Sequence, residues 1–169
     1  TGVYTVLAGH TSLDLDSVGI TLSGTMSDAV VNGCVVALPA ITIATNSNIF
    51  IDTTAPFITS IQSTTADGYY RAGQTIGIVI SFSEPVTLVA GTLSMNLTSG
   101  GTVLFGPFSG TSATGVYTIS LGENTPLLNA TALAVSVGSI KDIVGNPTPL
   151  VIPATNISPF HTITIDTIV

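Results

Sequence analysis

The sequence predicts an all-β fold that is built twice. Three observations carry that reading. Apolar residues alternate: across 75–82, Ile76, Ile78, Ile80 and Phe82 share one face while Gly77, Val79 and Ser81 share the other, the period-two signature of a strand with one buried side. Clusters of Gly, Asp, Asn and Pro punctuate such stretches, and no segment carries a sustained i, i+3, i+4, i+7 stripe. Finally, the chain nearly repeats itself. Gly2-Val3-Tyr4-Thr5 returns as Gly115-Val116-Tyr117-Thr118, Gly9 as Gly122, and Asp28, Val30 and Asn32 as Asp142, Val144 and Asn146. Ile49, Ile51, Asp52 and Thr53 return as Ile163, Ile165, Asp166 and Thr167, a spacing of 114 residues. A period of that size is one domain rather than one turn of a solenoid. Residues 1–52 therefore read as the back part of one repeat, incomplete alone, and 53–169 as a complete repeat.

Taken in order, the complete repeat offers strands at Phe57–Ile61, Thr75–Phe82, Leu93–Leu97, Val116–Leu121, Leu133–Val137, Leu150–Ile152 and Ile163–Ile165. Their β-branched and aromatic content suits a pleated, half-buried surface. Turns are expected at Ala66-Asp67-Gly68, Ala72-Gly73-Gln74, Ser99-Gly100-Gly101, Ser109-Gly110-Thr111 and Val144-Gly145-Asn146-Pro147. Ser139–Val144 has room for a single helical turn. Ile76, Ile78, Ile80 and Phe82 should pack with Tyr117, Ile119, Leu133 and Val135. About seven strands in ~110 residues fit an immunoglobulin-like β-sandwich. A barrel is the alternative; an odd strand count and a short linker favour the sandwich. The Trp and cysteine pair of antibody domains are absent, so the likeness is architectural. Asp52-Thr53-Thr54-Ala55-Pro56 is the boundary: Pro56 suits the start of an edge strand and holds Ala55 extended.

Composition narrows the function. Hydrophobic residues are 45% of the 169, enough for a core, and charged residues only 7%, against a usual ~25%. The formal net charge is −7 and Arg71 and Lys141 are the only Lys or Arg residues. Such a chain has no electrostatic grip on nucleic acid or anionic lipid, and cations are its natural ionic partners. No apolar run approaches the ~18 residues of a membrane span. Cys34 is the only cysteine, so no disulfide forms within the chain. Abundant Thr with scarce Lys and Arg fits an extracellular, cell-surface protein. The histidines are His10 and His161, and no Gly-x-Ser-x-Gly, His-Glu-x-x-His or Cys-x-x-Cys pattern occurs. Cys34 reads as a small apolar residue near a strand. The expectation is a protein that is not an enzyme.

Five motifs in order then carry a resemblance: Asp52-Thr53-Thr54-Ala55-Pro56; Asp67-Gly68-Tyr69-Tyr70-Arg71-Ala72-Gly73-Gln74; Phe82-Ser83-Glu84-Pro85-Val86; Ile140-Lys141-Asp142-Ile143-Val144-Gly145-Asn146; and Ile163-Thr164-Ile165-Asp166-Thr167. Their order resembles the bacterial Ig-like repeats found in tandem in large adhesins, S-layer-type proteins and other surface proteins. The resemblance implies an extracellular sandwich used as spacer, adhesive or assembly module, partnered by adjacent repeats, neighbouring copies of itself or surface glycans, and it implies no one ligand. This chain departs from the pattern at two places. The acidic turn Asp14-Leu15-Asp16 of the first copy becomes Leu127, Leu128 and Asn129 in the second, and no Ala-Pro follows Asp166-Thr167. A subunit of a strand-exchanged filament is one alternative. A carbohydrate-binding sandwich is another, disfavoured by the absence of Trp, with Tyr69 and Tyr70 as its aromatic candidates.

Calcium is the best chemical hypothesis, because hard cations take several oxygens, carboxylates among them. The candidate ligands are Asp52, Asp67, Glu84, Asp142 and Asp166. The competing reading makes each Asp a turn former that accepts its own backbone N–H groups. Asn96, Asn129 and Asn156 open the three Asn-x-Thr/Ser glycan-acceptor patterns. The recurrence of Asp28…Asn32 as Asp142…Asn146 predicts one local structure used twice, and Val31 opposite Gly145 argues that it needs no positive φ in both copies. Residues 1–52 pose the sharpest question. Val3, Val6, Ile20, Leu22, Val35, Leu38, Ile49 and Ile51 would be left wet in half a sandwich, at ~25 cal/mol per Å². Completion by strands of a neighbouring chain, which gives an open fibre, is one expectation; upstream residues of the same polypeptide are the other.

Overall fold

Alternation becomes strand pairing in the computed structural model, which describes residues 2–168. Contacts divide the chain into unit 1, Thr1–Thr54, and unit 2, Ala55–Val169. Unit 2 is built from β1 (Ile58–Ser63), β2 (Gly68–Tyr70), β3 (Thr75–Leu88), β4 (Leu93–Leu97), β5 (Thr102–Phe105), β6 (Phe108–Thr118), β7 (Ala130–Val135) and β8 (Ile163–Ile165). There are two antiparallel sheets, β1-β3-β6 and β5-β4-β7, and a separate parallel pair, β2-β8. The inward faces of both sheets share one core: Ile61, Ile76, Ile78, Ile80 and Tyr117 come from the first, and Leu93, Met95, Val103 and Phe105 from the second. The fold is therefore all-β, with two sheets layered on a common core. Burial of such side chains is worth ~1.5–3 kcal/mol each. As expected, Ile76, Ile78, Ile80 and Phe82 are buried with Tyr117 and Ile119, while Leu133 and Val135 pack against them half-buried. β6 passes close to β5: a Cβ on Gly115 would lie 2.7 Å from Val103 Cγ1 and 2.9 Å from Phe105 Cε1. Only glycine fits there.

The elements differ from the sequence reading at several points. β3 does not stop at Phe82 but runs through Glu84-Pro85 to Leu88, because its register with β6 breaks between Ser81 and Val86. A bulge there accommodates a proline that has no N–H to give. The continued β3 needs a partner, so Ser109-Gly110-Thr111 lies inside β6 rather than in a turn. β2 and β5, of three and four residues, are too short for alternation to reveal. Leu150–Ile152 is not a strand; Leu150 and Ile152 pack on the core from irregular chain. Ser139–Val144 forms no helical turn, since Lys141 bridges to both Thr87 and Pro147.

Unit 1 holds no strand among its described residues, only the one-turn helix α1 (Ile43–Asn46) and two isolated bridges. Its hydrogen bonds nevertheless duplicate those of unit 2. Ser12 and Ile51 exchange both backbone bonds at 2.8 Å, and Thr125 and Ile165 exchange both at 2.9 Å. Leu15 N–H donates to Ile49 O as Leu128 N–H does to Ile163 O, and Cys34 N–H donates to Met26 O as Thr148 N–H does to Ile140 O. Gly9 N–H meets Thr53 Oγ1 at 3.0 Å, and Gly122 N–H meets Thr167 Oγ1 at 2.9 Å. α1 closes through Ser47 N–H to Ile43 O, and its counterpart α2 (Ile157–Phe160) through His161 N–H to Ile157 O. The matching bonds are offset by one residue fewer before the Asp28 and Asp142 loops than after them.

Candidate functional site

The loop after Ile140 carries the densest side-chain chemistry in unit 2. Asp142 Oδ1 accepts the N–H groups of Val144, Gly145 and Asn146 at 3.0, 2.7 and 2.8 Å, and Oδ2 accepts Asn146 Nδ2 at 2.7 Å. A carboxylate that gathers successive N–H groups fixes the turn by itself. Burial is the largest single influence on this carboxyl and pushes its pKa up, yet the donors of Asn146, Gly145 and Val144 together outweigh it and hold the pKa below the ordinary value. The twin loop of unit 1 is built alike. Asp28 Oδ1 accepts from Val30 and Asn32 at 3.0 and 2.9 Å, and Oδ2 from Asn32 Nδ2 at 2.9 Å. The Asn32 side chain, then its N–H, lowers the Asp28 pKa.

One expectation about these loops is corrected. Both turns do require a positive φ: Gly145 has φ +102° and Val31 has φ +68°. Val31 is the only non-glycine residue in that region among the described residues. A β-branched side chain is a genuine outlier there, at a cost of ~1–2 kcal/mol.

The five acidic candidates do not converge on one place. Glu84 sits in the β3 bulge, and the Thr87–Lys141 pairing, with bonds of 2.7 and 3.1 Å, brings the next residue, Asp142, beside it. A carboxylate oxygen of each lies within 4.8 Å of the other. Asp67 and Asp166 flank opposite ends of the parallel β2–β8 pair, roughly 13 Å apart at a rise of ~3.3 Å per residue. They share no ion. Asp67 Oδ1 is 3.2 Å from His161 Nδ1. Asp52 and Asp166 close their respective copies in the same way, accepting Thr54 N–H at 2.8 Å and Ile168 N–H at 3.0 Å. Asp52, Asp142 and Asp166 thus all perform the turn-forming role. Glu84 and Asp142 are the pair whose geometry offers oxygens to a hard cation, with Asp142 Oδ1 already committed to three N–H groups. One bond of the acidic turn is kept, since Asp16 Oδ1 accepts Ala44 N–H at 3.3 Å and Asn129 Oδ1 accepts Ser158 N–H at 3.3 Å, while the bond from Ile49 N–H to Asp14 Oδ1 has no counterpart at the apolar Leu127.

The three acceptor asparagines differ in access. Asn96 is exposed on β4 and accepts Thr102 Oγ1. Asn129 is half-buried. Asn156 is buried, and its Nδ2, the atom a glycan would occupy, donates to Ala130 O at 3.0 Å. That bond and that burial oppose modification of Asn156 in the folded chain.

A further pair escapes sequence reading. Tyr117 Oη donates to Glu123 Oε2 at 2.6 Å, and Ser120 N–H donates to the same oxygen at 2.8 Å. In unit 1, Tyr4 Oη lies 2.6 Å from His10 Nδ1, and Leu7 N–H donates to that nitrogen at 3.2 Å. His10 therefore stands where Glu123 stands. The shared spacing of six residues from tyrosine to acceptor was the available signal, masked by the change of residue type. Burial first, then the bond to Glu123 and its charge, pushes the Tyr117 phenol up to about 12.

No protein-family model, curated protein or solved structure matches the chain.

Proposed function

We propose that this chain is a run of tandem immunoglobulin-like β-sandwich repeats, acting as a non-catalytic spacer or adhesive module of an extracellular, bacterial-type cell-surface protein. The observation that carries this reading is the duplicated hydrogen-bond set: two copies of one backbone design follow each other in one chain. Tandem copies of a domain multiply length or contact surface, whereas a catalytic constellation gains nothing from partial duplication. The low charge and net charge of −7 point the same way, since a surface of Thr, Ser and Asn hydrogen-bonds water without drawing polyanions. Adjacent repeats are its natural partners. Calcium at Glu84 and Asp142 would brace the β3 bulge if further oxygens joined them.

Protease treatment of intact cells that make the full polypeptide tests the location. Peptides of this chain should be released before lysis. Their recovery only after lysis would refute the surface assignment.

A further inference from the structure

The Asp28 loop of unit 1 and the Asp142 loop of unit 2 share one bonding pattern and differ in the residue that closes it. Ser27 bridges to Gly33 as Lys141 bridges to Pro147. An asparagine precedes each closing residue, and its carboxamide is held by the loop aspartate: Asn32 Nδ2 donates to Asp28 Oδ2 at 2.9 Å, and Asn146 Nδ2 to Asp142 Oδ2 at 2.7 Å. The closing residue decides what that carboxamide can do. A glycine nitrogen carries a hydrogen and no side chain hinders it, whereas a proline nitrogen carries none. Asn32-Gly33 is the only Asn-Gly pair in the sequence. Among the described residues, Gly33 N–H meets no acceptor. The bridge explains why. Asp28 N–H donates to Asn32 O and Cys34 N–H to Met26 O, so the bonds flank the Ser27–Gly33 pair and Gly33 N–H turns outward. Residues 28–34 are all exposed. Asp67-Gly68, the acidic relative of this dipeptide, differs: Gly68 N–H is committed to Thr162 O at 3.1 Å.

We infer that Asn32 is a site of self-modification, at which the folded chain converts its own carboxamide to an acid and opens the Asp28 loop. Gly33 N attacks Asn32 Cγ. The N–Cγ bond forms, the Cγ–Nδ2 bond breaks, and ammonia leaves with the proton that Gly33 N gives up. The cyclic imide then takes up water. Opening at one carbonyl yields aspartate, and opening at the other yields isoaspartate, in which the chain runs through Cγ. Water is the sole co-reactant. Either product sets a new carboxylate beside Asp28, and two like charges at that separation oppose each other. The donor from Asn32 Nδ2 to Asp28 Oδ2 is lost as well. In the isoaspartate, the carbonyl that accepts Asp28 N–H becomes the free carboxylate. The loop then no longer holds Val31 at its φ of +68°, a conformation that a β-branched residue leaves once released. Asn146 is barred from this route because Pro147 N has no hydrogen to give. One loop of the pair is thus chemically convertible and the other is locked.

The test incubates the folded chain at mildly basic pH, where the attacking nitrogen loses its proton more readily, and maps the products by peptide mass spectrometry. The amide-to-acid mass gain is expected at Asn32, divided between two products of equal mass that separate in chromatography, with Asn146 unchanged. Gly33→Pro should abolish the gain while the loop keeps its bonds, since Pro147 fills the same place in unit 2. Amide exchange then reads the loop. The N–H groups of Val30, Asn32 and Cys34 should exchange faster in the converted chain than in the fresh one, while those of Val144, Gly145 and Thr148 stay as they were. An Asn32 that stays intact in the folded chain and converts only in urea would overturn the inference. So would conversion that persists in Gly33→Pro, or loop exchange that is the same before and after conversion.

Discussion

Unit 1 and the second half of unit 2 share one set of hydrogen bonds in two different surroundings. Tyr4 is 54% exposed and Tyr117 1%; Met26 is 51% exposed and Ile140 1%; Ile43 is 42% exposed and Ile157 0%. The hydrogen bonds that are local to the back half agree between the copies to about a tenth of an ångström in the Ser12–Ile51 and Thr125–Ile165 pairs. The comparison separates two layers of specification. Turns, Asp-centred loops and the bridges that tie residues 9–15 to 49–53 form within the shared stretch itself and are present in both surroundings. Strands and most core positions form where a facing sheet satisfies their backbone and covers their side chains; Ile51, expected to be left wet, is the exception in unit 1, buried at 7% exposure as its counterpart Ile165 is at 2%.

The largest test of this division truncates equivalent core positions. Ile140→Ala should cost unit 2 about 2–5 kcal/mol. Met26→Ala, its counterpart, should fall within the ±0.5 kcal/mol typical of surface changes. Denaturant unfolding monitored separately for the two units reads both, and equal losses would erase the distinction. The next test uses the close approach of β6 to β5. Gly115→Val should destabilise unit 2 by about 1–3 kcal/mol through overpacking, while Gly2→Val should be silent.

A third test turns on the one place where unit 1 is the strained copy. Val31→Gly should stabilise its loop and Gly145→Val should destabilise the other, each by about 1–2 kcal/mol. Opposite signs in thermal melting are the expected outcome; the same sign would mean that the two loops are not one device.

The Asp142 loop adds a pH dependence. Its folded pKa lies below the unfolded value of 3.8. Its contribution to stability is therefore fully present above that value and is lost as pH falls through the lower folded one. Asp142→Asn should remove the part of acid destabilisation that belongs to this loop, while lowering stability at neutral pH. Loss on acidification that is identical in the variant would remove the carboxylate from the account.

Much of unit 2 was legible in the sequence, because long alternating strands announce themselves. β4 and β8 fall on the expected residues, and Ile76 to Phe82 face the core as the period-two pattern requires. The continuation of β3 was not legible, since Pro85 reads as a stop and only the pairing with β6 reveals a bulge. β5 has four residues, too few for a period. The Asp142 loop was visible through its recurrence, but the positive φ of Val31 was not, because valine argues locally against the conformation that the loop imposes. Of the acidic candidates, only Glu84 and Asp142 come together in unit 2, through the pairing of Lys141 with Thr87. That proximity is tertiary, and no spacing along the chain encodes it.

Amide hydrogen exchange on the unaltered chain separates the two units in one experiment. Slow exchange is expected throughout β3, β4 and β6 and near-random-coil exchange at 3–6 and 18–22, with intermediate protection at Ser12, Leu15, Cys34 and Ile51, whose N–H groups are bonded within unit 1. Protection of residues 2–22 equal to that of their counterparts in β6 and β7 would contradict it.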